Sequence, residues 1–210
     1  MNRAQRHIQW VAEIAGRLLA LERASRRTLT AGERTDARTW YIAQRLRLER
    51  IAAELDLPAD TVIACAAILS PATSWHALVV DLPCFLSAAA DGEPFPPFAT
   101  YGRQRILGAR CVRERRGLES ATGPKIRPFA LALAGDASQV VVDRHVVRYS
   151  LNLPDRVAMT PCERRAIQDA HRVAGTALGI APRDLQSLLW VARVGYGGAY
   201  TPATAEGSAG

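Results

Sequence analysis

An all-α fold is what this sequence predicts, and three observations predict it. Apolar residues recur at helical spacing through most of the chain, helix-start signals stand between the periodic stretches, and a single short valine run reads as extended. Residues 1 to about 24 place Ile8, Val11, Ile14, Ala15, Leu18, Leu19 and Leu21 on one helical face. The polar, arginine-rich stretch Ser25 to Arg38 reads as a loop or short arm. Trp40 to Leu55 is a second amphipathic helix, with Arg45, Arg47 and Arg50 on its wetter faces. Leu57-Pro58-Ala59-Asp60 opens a third helix, Thr61 to Leu69, so uniformly apolar that it has to be buried.

Ser70-Pro71 ends that helix, and Thr73 to Ala90 reads as helical again with an interruption at Pro83. Asp91 to Pro97 is a loop, and Tyr101 to Arg116 a helix with a strongly basic face. Gly135 to Ser138 is a turn, Val140-Val141-Val142 is extended, and Asp143 to Leu151 is helical. Thr160-Pro161-Cys162-Glu163 joins a threonine cap, a proline at the first helical position and a glutamate three residues on, so it starts a helix to about Leu178. Pro182 to Val194 makes the last helix. Residues 1–195 are thus expected to form a single helical domain, with a flexible tail over 196–210.

Of 210 residues, 49% are hydrophobic, enough for most of the chain to fold around a core. The formal net charge of +7 favours a polyanionic partner, most often nucleic acid. Cys65, Cys84, Cys111 and Cys162 lie far apart and form no C-x-x-C pair, so they read as free thiols suited to a reducing cytoplasm, with no zinc or iron–sulfur spacing. No apolar run reaches the ~20 residues that span a bilayer, and Met1 to Arg6 is not followed by a signal-type core. The expectation is a cytoplasmic, nucleoid-associated monomer with no cofactor, metal or membrane partner.

Lys125 is the only lysine; the other 26 of the 27 Lys and Arg residues are arginine. A guanidinium stays protonated at any working pH, whereas an amine can become a nucleophile. Gly123-Pro124 is a helix-start signal that places Lys125 in the first turn of a helix. Asp143 follows three valines and precedes a helical stretch, which puts its carboxylate at that helix's N-cap.

The segment Thr122-Gly123-Pro124-Lys125-Ile126-Arg127-Pro128-Phe129, with Val140-Val141-Val142-Asp143-Arg144-His145 and Arg148 after it, resembles helix-hairpin-helix DNA glycosylases of the endonuclease III type. In that family a glycine-rich hairpin leads to a catalytic lysine, and a valine-flanked aspartate follows in a V-D-x-H motif. Lys125 and Asp143 stand 18 positions apart, as the family pattern requires. Ala67-Ile68-Leu69-Ser70-Pro71, with Thr73 and Trp75, is similar to the family's buried helix and Leu-Ser turn, and Leu189-Trp190-Val191 to its closing helix. The similarity runs from about Ile51 to Arg193, and its specific part is the Lys-to-Asp segment.

The resemblance implies that the domain has two lobes, with a hairpin region at about 101–134, in a helical glycosylase fold that rotates a nucleotide out of the DNA stack into a pocket between the lobes. It implies that Asp143 stabilises positive charge on the sugar, or orients the nucleophile, and that Lys125 attacks the anomeric carbon to form a Schiff base that permits strand cleavage. Thr122, Gly123 and Arg127 are its implied phosphate contacts at the hairpin. The chain departs from the family in four respects. Of the hairpin's two glycines only Gly123 is kept, with Ala121 in the other's place, where it is expected to alter the turn. Pro124 removes a backbone donor, and Pro128 is expected to bend the helix. There is no four-cysteine cluster.

Arg103, Arg105, Arg110, Arg113, Arg115 and Arg116 make a dense basic run, either a solvated helix face or, with Arg103, Arg113 and Arg116 foremost, further phosphate contacts. His7, His76, His145 and His171 read as structural, Trp75 and Trp190 as core aromatics, and Trp40 and Tyr41 as residues that could line a pocket. Three functions remain open at this level: excision of a damaged, mismatched or modified base; base hypermodification on the same fold, of a type known mainly from phages; and a helical DNA-binding module without catalysis.

Overall fold

The computed structural model describes residues 2–94, 100–156 and 158–194. Among them the chain forms nine α-helices and no strand: α1 (Arg3–Thr28), α2 (Ala31–Glu54), α3 (Ala59–Leu69), α4 (Trp75–Asp91), α5 (Gly102–Arg113), α6 (Ile126–Leu133), α7 (Arg144–Leu151), α8 (Pro161–Leu178) and α9 (Pro182–Val194). A single 3₁₀ turn, Leu118–Ser120, lies between α5 and α6. The all-α class is therefore correct. The tail expected over 196–210 and the end of the loop at Pro97 lie outside the described residues. No helix of the described residues is long and apolar enough to cross a membrane.

Two compact units divide the chain, one drawn from residues 1–41 and 137–196, the other built on 42–136. In the first, α1 packs against α7, α8 and α9. Ile14 and Leu18 of α1 are fully buried with Ile167 of α8 and Leu185 of α9. The extended valines Val140 and Val142 and the α7 residues Val146 and Val147 complete the same core. α8 starts at the capping box expected for it, with Thr160 Oγ1 accepting from Glu163 N at 3.2 Å and the Glu163 carboxylate accepting from Thr160 N at 2.6 Å. The turn into α9 crosses α8 so closely that a Cβ on Gly175 would lie 2.6 Å from the Ile180 carbonyl oxygen.

In the second unit α3 is the central element, packed by α4, α5, α6 and the 3₁₀ turn. Every residue from Thr61 to Leu69 is buried, as its unbroken apolar sequence requires. Gly108 lets α5 approach: a Cβ there would sit 3.2 Å from Leu69 Cδ2 and 3.4 Å from Cys65 Sγ.

Four expectations are corrected. Ser25 to Arg38 is not a loop, because α1 runs to Thr28 and α2 begins at Ala31. Its arginines are held in register by the buried Glu22, which takes hydrogen bonds from Arg26 Nε at 3.2 Å and Arg34 Nη2 at 2.7 Å. Burial pushes the Glu22 carboxyl up, but the two guanidiniums outweigh it and hold the group below its ordinary value. Thr30 and Glu33 form a second reciprocal cap that restarts the helix.

Pro83 does not interrupt α4. It deprives the Val79 carbonyl of its usual donor, yet buried Val79, Leu82, Phe85, Leu86 and Ala89 keep the helix in place on either side of it. The basic helix stops at Arg113, not Arg116, because Arg115 takes a left-handed φ of 46° that turns the chain back. Trp75 and Trp190 are half-buried, not core: Trp75 bonds Gln44 and meets the Phe129 ring, and Trp190 meets the His145 ring.

Candidate functional site

Asp143 stands at the junction of the valine run and α7. A three-residue extended segment with no strand beside it must satisfy its backbone polar groups elsewhere. Side chains from α8 and α9 do so. Gln168 Nε2 donates to Val140 O at 3.2 Å, Val141 N donates to Gln186 Oε1 at 3.0 Å, and Arg164 Nη1 donates to Val142 O at 3.4 Å. Asp143 then caps α7 as its sequence position predicts: Oδ1 accepts from His145 N and Val146 N, both at 2.9 Å. Its other oxygen, Oδ2, takes no hydrogen bond from a described residue, and the side chain is half-buried.

Behind Asp143 lies a buried polar network that the sequence did not single out. The amide of Gln186, its oxygen occupied by Val141, hydrogen-bonds the hydroxyl of Tyr41. Arg183 lies over the Tyr41 ring, 5.5 Å from its centroid, and pairs with Asp184 at 2.9 Å. Tyr149 of α7 meets His171 of α8, hydroxyl to Nε2, at 3.2 Å. His171 Nδ1 lies 2.8 Å from the carbonyl of Ile167. A carbonyl can only accept, so Nδ1 carries the proton, Nε2 is the acceptor, and the Tyr149 hydroxyl donates to it.

The electrostatics of this cluster all resist further charge. Burial, and then the charge of Asp143, push both Tyr41 and Tyr149 above the ordinary phenol value. Burial pulls His171 down to about 4, against a smaller opposing effect of the Ile167 carbonyl, so the imidazole is neutral at pH 7. Asp143 therefore acts on two phenols that stay protonated, one of which, Tyr149, is bonded to a histidine that stays neutral. Its carboxylate raises both phenols, unlike that of Asp184, which pairs with Arg183; it is held through one oxygen, and the other takes no hydrogen bond from a described residue.

Lys125 belongs to the second unit. It is the N-cap residue of α6, one position before the first turn in which the sequence placed it; Pro124 precedes it and Gly123 has a left-handed φ of 95°. Helical bonding nonetheless begins there, with Arg127 N donating to Gly123 O and Phe129 N to Lys125 O, both at 3.2 Å. The side chain is half-buried and makes no hydrogen bond or ion pair with a described residue.

Ala121 leaves its turn regular: it is fully buried at φ −76°, a conformation in which a Cβ costs nothing. Pro128 is the third residue of α6, in the first turn, where a proline's fixed φ is tolerated; the ladder is made on either side of it, by Arg127 N and Phe129 N, and the helix continues to Leu133. Thr122, Gly123 and Arg127 are exposed around this turn, and Arg103, Arg113 and Arg116 are exposed on and after α5. Arg116 shares Glu114 with Arg110. Among the described residues no group of three or more His, Cys, Asp or Glu side chains is arranged to hold a metal ion.

The second unit thus carries Lys125, the Gly123 turn and the arginines, and the first carries Asp143. Sequence reasoning missed Tyr149, Gln186 and Arg183 and took His171 as structural. The available signal was a polar residue inside an apolar stripe: His171 between Ala170 and Ala174, and Gln186 between Leu185 and Leu189.

No curated protein and no solved structure matches the chain. A family model described as a family of unknown function (DUF7178) matches residues 20–196, a span that contains both Lys125 and Asp143. The chain belongs to that family.

Proposed function

We propose that this protein is a DNA base-excision N-glycosylase of the helix-hairpin-helix type, with lyase chemistry at the resulting abasic site. The observation that carries the reading is Asp143, a carboxylate fixed by two backbone N–H groups on one oxygen and open on the other, backed by phenols that do not ionise. Such a group suits the stabilisation of a sugar cation, because its charge is held in place before the reaction and needs no reorganisation during it. The sole primary amine of the chain's side chains, Lys125, supports the second half of the reading, as do the left-handed Gly123 turn before it and the arginines of the same unit.

The chemistry follows from these groups. As the bond from C1′ to the base nitrogen breaks, the base leaves with the electron pair and Asp143 offsets the positive charge on the sugar. The free amine of Lys125 bonds to C1′ and loses its proton, the ring opens to an imine, and loss of the 2′ proton expels the 3′ phosphate. Borohydride reduces the imine to a stable cross-link. Incubation with oligonucleotides carrying a panel of modified bases, mismatches and an abasic site, with borohydride present, therefore tests the reading. Wild type forms a covalent adduct, Lys125→Ala forms none, and Asp143→Asn loses base excision. Full activity in both variants would overturn the assignment, and salt-sensitive binding without excision or adduct would make the chain a DNA-binding module instead.

A further inference from the structure

The exposed face of α5 combines charge with apolar surface in a way that phosphate contact alone does not explain. Arg103, Ile106, Arg110 and Arg113 follow one another at helical spacing, so they form a single stripe about 15 Å long. The opposite face, Gly108, Ala109, Cys111 and Val112, is buried. On the stripe Ile106 is 65% exposed, and Tyr101, which caps the helix, is 63% exposed. Arg103 and Arg113 have no ion pair with a described residue, whereas Arg110 is partly neutralised by Glu114.

A DNA duplex keeps its base faces stacked inside and offers a helix phosphates, sugars and groove edges, so an isoleucine held out between arginines and a tyrosine exposed at the helix end find no base face to pack on. A single strand offers phosphates and unstacked base faces in alternation, and its bases stack on aromatic side chains and pack on apolar ones while arginines meet the phosphates. The positive end of α5, at Tyr101 and Gly102, adds to the attraction. We infer that the exposed stripe of α5, through Arg103, Ile106 and Arg113, together with Tyr101 at the start of the helix, docks single-stranded nucleic acid in preference to duplex. The inference rests on the reading of DNA as the partner, and it specifies the strand form that this surface takes.

Fluorescence anisotropy with a labelled oligothymidylate of about 20 nucleotides, and with a duplex of equal length, tests it. The wild type is expected to hold the single strand at least tenfold tighter. Tyr101→Ala is expected to weaken single-strand binding about tenfold and leave its salt dependence unchanged. Arg103→Ala with Arg113→Ala is expected to lower the slope of log affinity against log salt by about 1.4, which Arg→Lys at both positions restores. All these side chains are exposed, so melting temperatures should match the wild type. Equal or tighter duplex binding, no effect of Tyr101→Ala, or no binding of either form overturns the inference. Single-strand preference without excision or adduct would remove the glycosylase reading and leave this one standing, whereas excision with duplex preference would do the reverse.

Discussion

The hydroxyl of Tyr149 donates to Nε2 of His171 across 3.2 Å, both groups lying in the core of the first unit beneath the α7 helix. Because Nδ1 of the same ring is committed to the Ile167 carbonyl, a second proton could go only on Nε2, where it would turn the buried Tyr149 hydroxyl from donor to acceptor. That constraint and the surrounding apolar side chains keep the ring neutral.

A pH dependence follows. An unfolded histidine takes up a proton near pH 6.5, and folded His171 refuses it down to about 4. Stability is therefore full above pH 6.5, falls as the pH drops through the window from 6.5 to about 4, and gains nothing more from this group below it; the loss is of order 3 kcal/mol. Thermal melting from pH 7.5 to 4 checks this. His171→Gln should melt lower than wild type at pH 7.5 and lose less on acidification. Parallel curves for the two proteins would contradict the assignment.

The cap and the charge of Asp143 can be separated. Asp143→Asn keeps an oxygen for His145 N and Val146 N and should melt within a degree or two of wild type. Asp143→Ala removes the acceptor and should cost about 1 kcal/mol. On the proposed glycosylase reading, base excision should fall about a hundredfold or more in both. An Asn variant that retains excision would show that the carboxylate serves only the helix.

Gln186 and Gln168 make an informative pair. Each bonds the valine run, but Gln186 is buried and also serves Tyr41, whereas Gln168 is half-buried. Gln186→Leu strands a buried N–H and deprives a phenol, for about 2–3 kcal/mol, while water can replace Gln168 and Gln168→Ala should cost under about 1 kcal/mol. Urea denaturation of the two variants distinguishes them.

The α8–α9 turn supplies another contrast. A Cβ on Gly175 would meet the Ile180 carbonyl oxygen at 2.6 Å, and backbone cannot step aside as a side chain does. Gly175→Ala should cost about 2 kcal/mol or more. At Gly179, φ is 64° but the space around it is open, so Gly179→Ala should cost only the left-handed conformation, about 1 kcal/mol. The ordering of the two melting temperatures is the measurement.

What could be read from sequence depended on whether cause and effect were neighbours in the chain. Asp143 caps the residues that follow it, and Thr160 caps a helix three residues from its partner Glu163, so both are visible in a short window. Thr30 and Glu33 carry the same signal, hidden among arginines whose order comes from Glu22, eight residues upstream of Thr30. Pro83 misleads because its local cost is offset by packing that only the folded unit supplies. The network around Asp143 joins residue 41 to residues 149, 171 and 186, and no periodicity links those positions. The carboxylate was legible; the phenols, the imidazole and the amide that surround it were not.

The Val-Asp-Arg-His stretch does not determine its own place in space. Its backbone hangs from Gln168, Arg164 and Gln186, all encoded downstream of it. A polypeptide cut before α8 would preserve every letter of that stretch and lose the scaffold that aims it. The shortest fragment able to present the aspartate in its native pose must therefore run through the final helix, which makes the C-terminal helices part of the working apparatus although they contribute none of the proposed reacting groups.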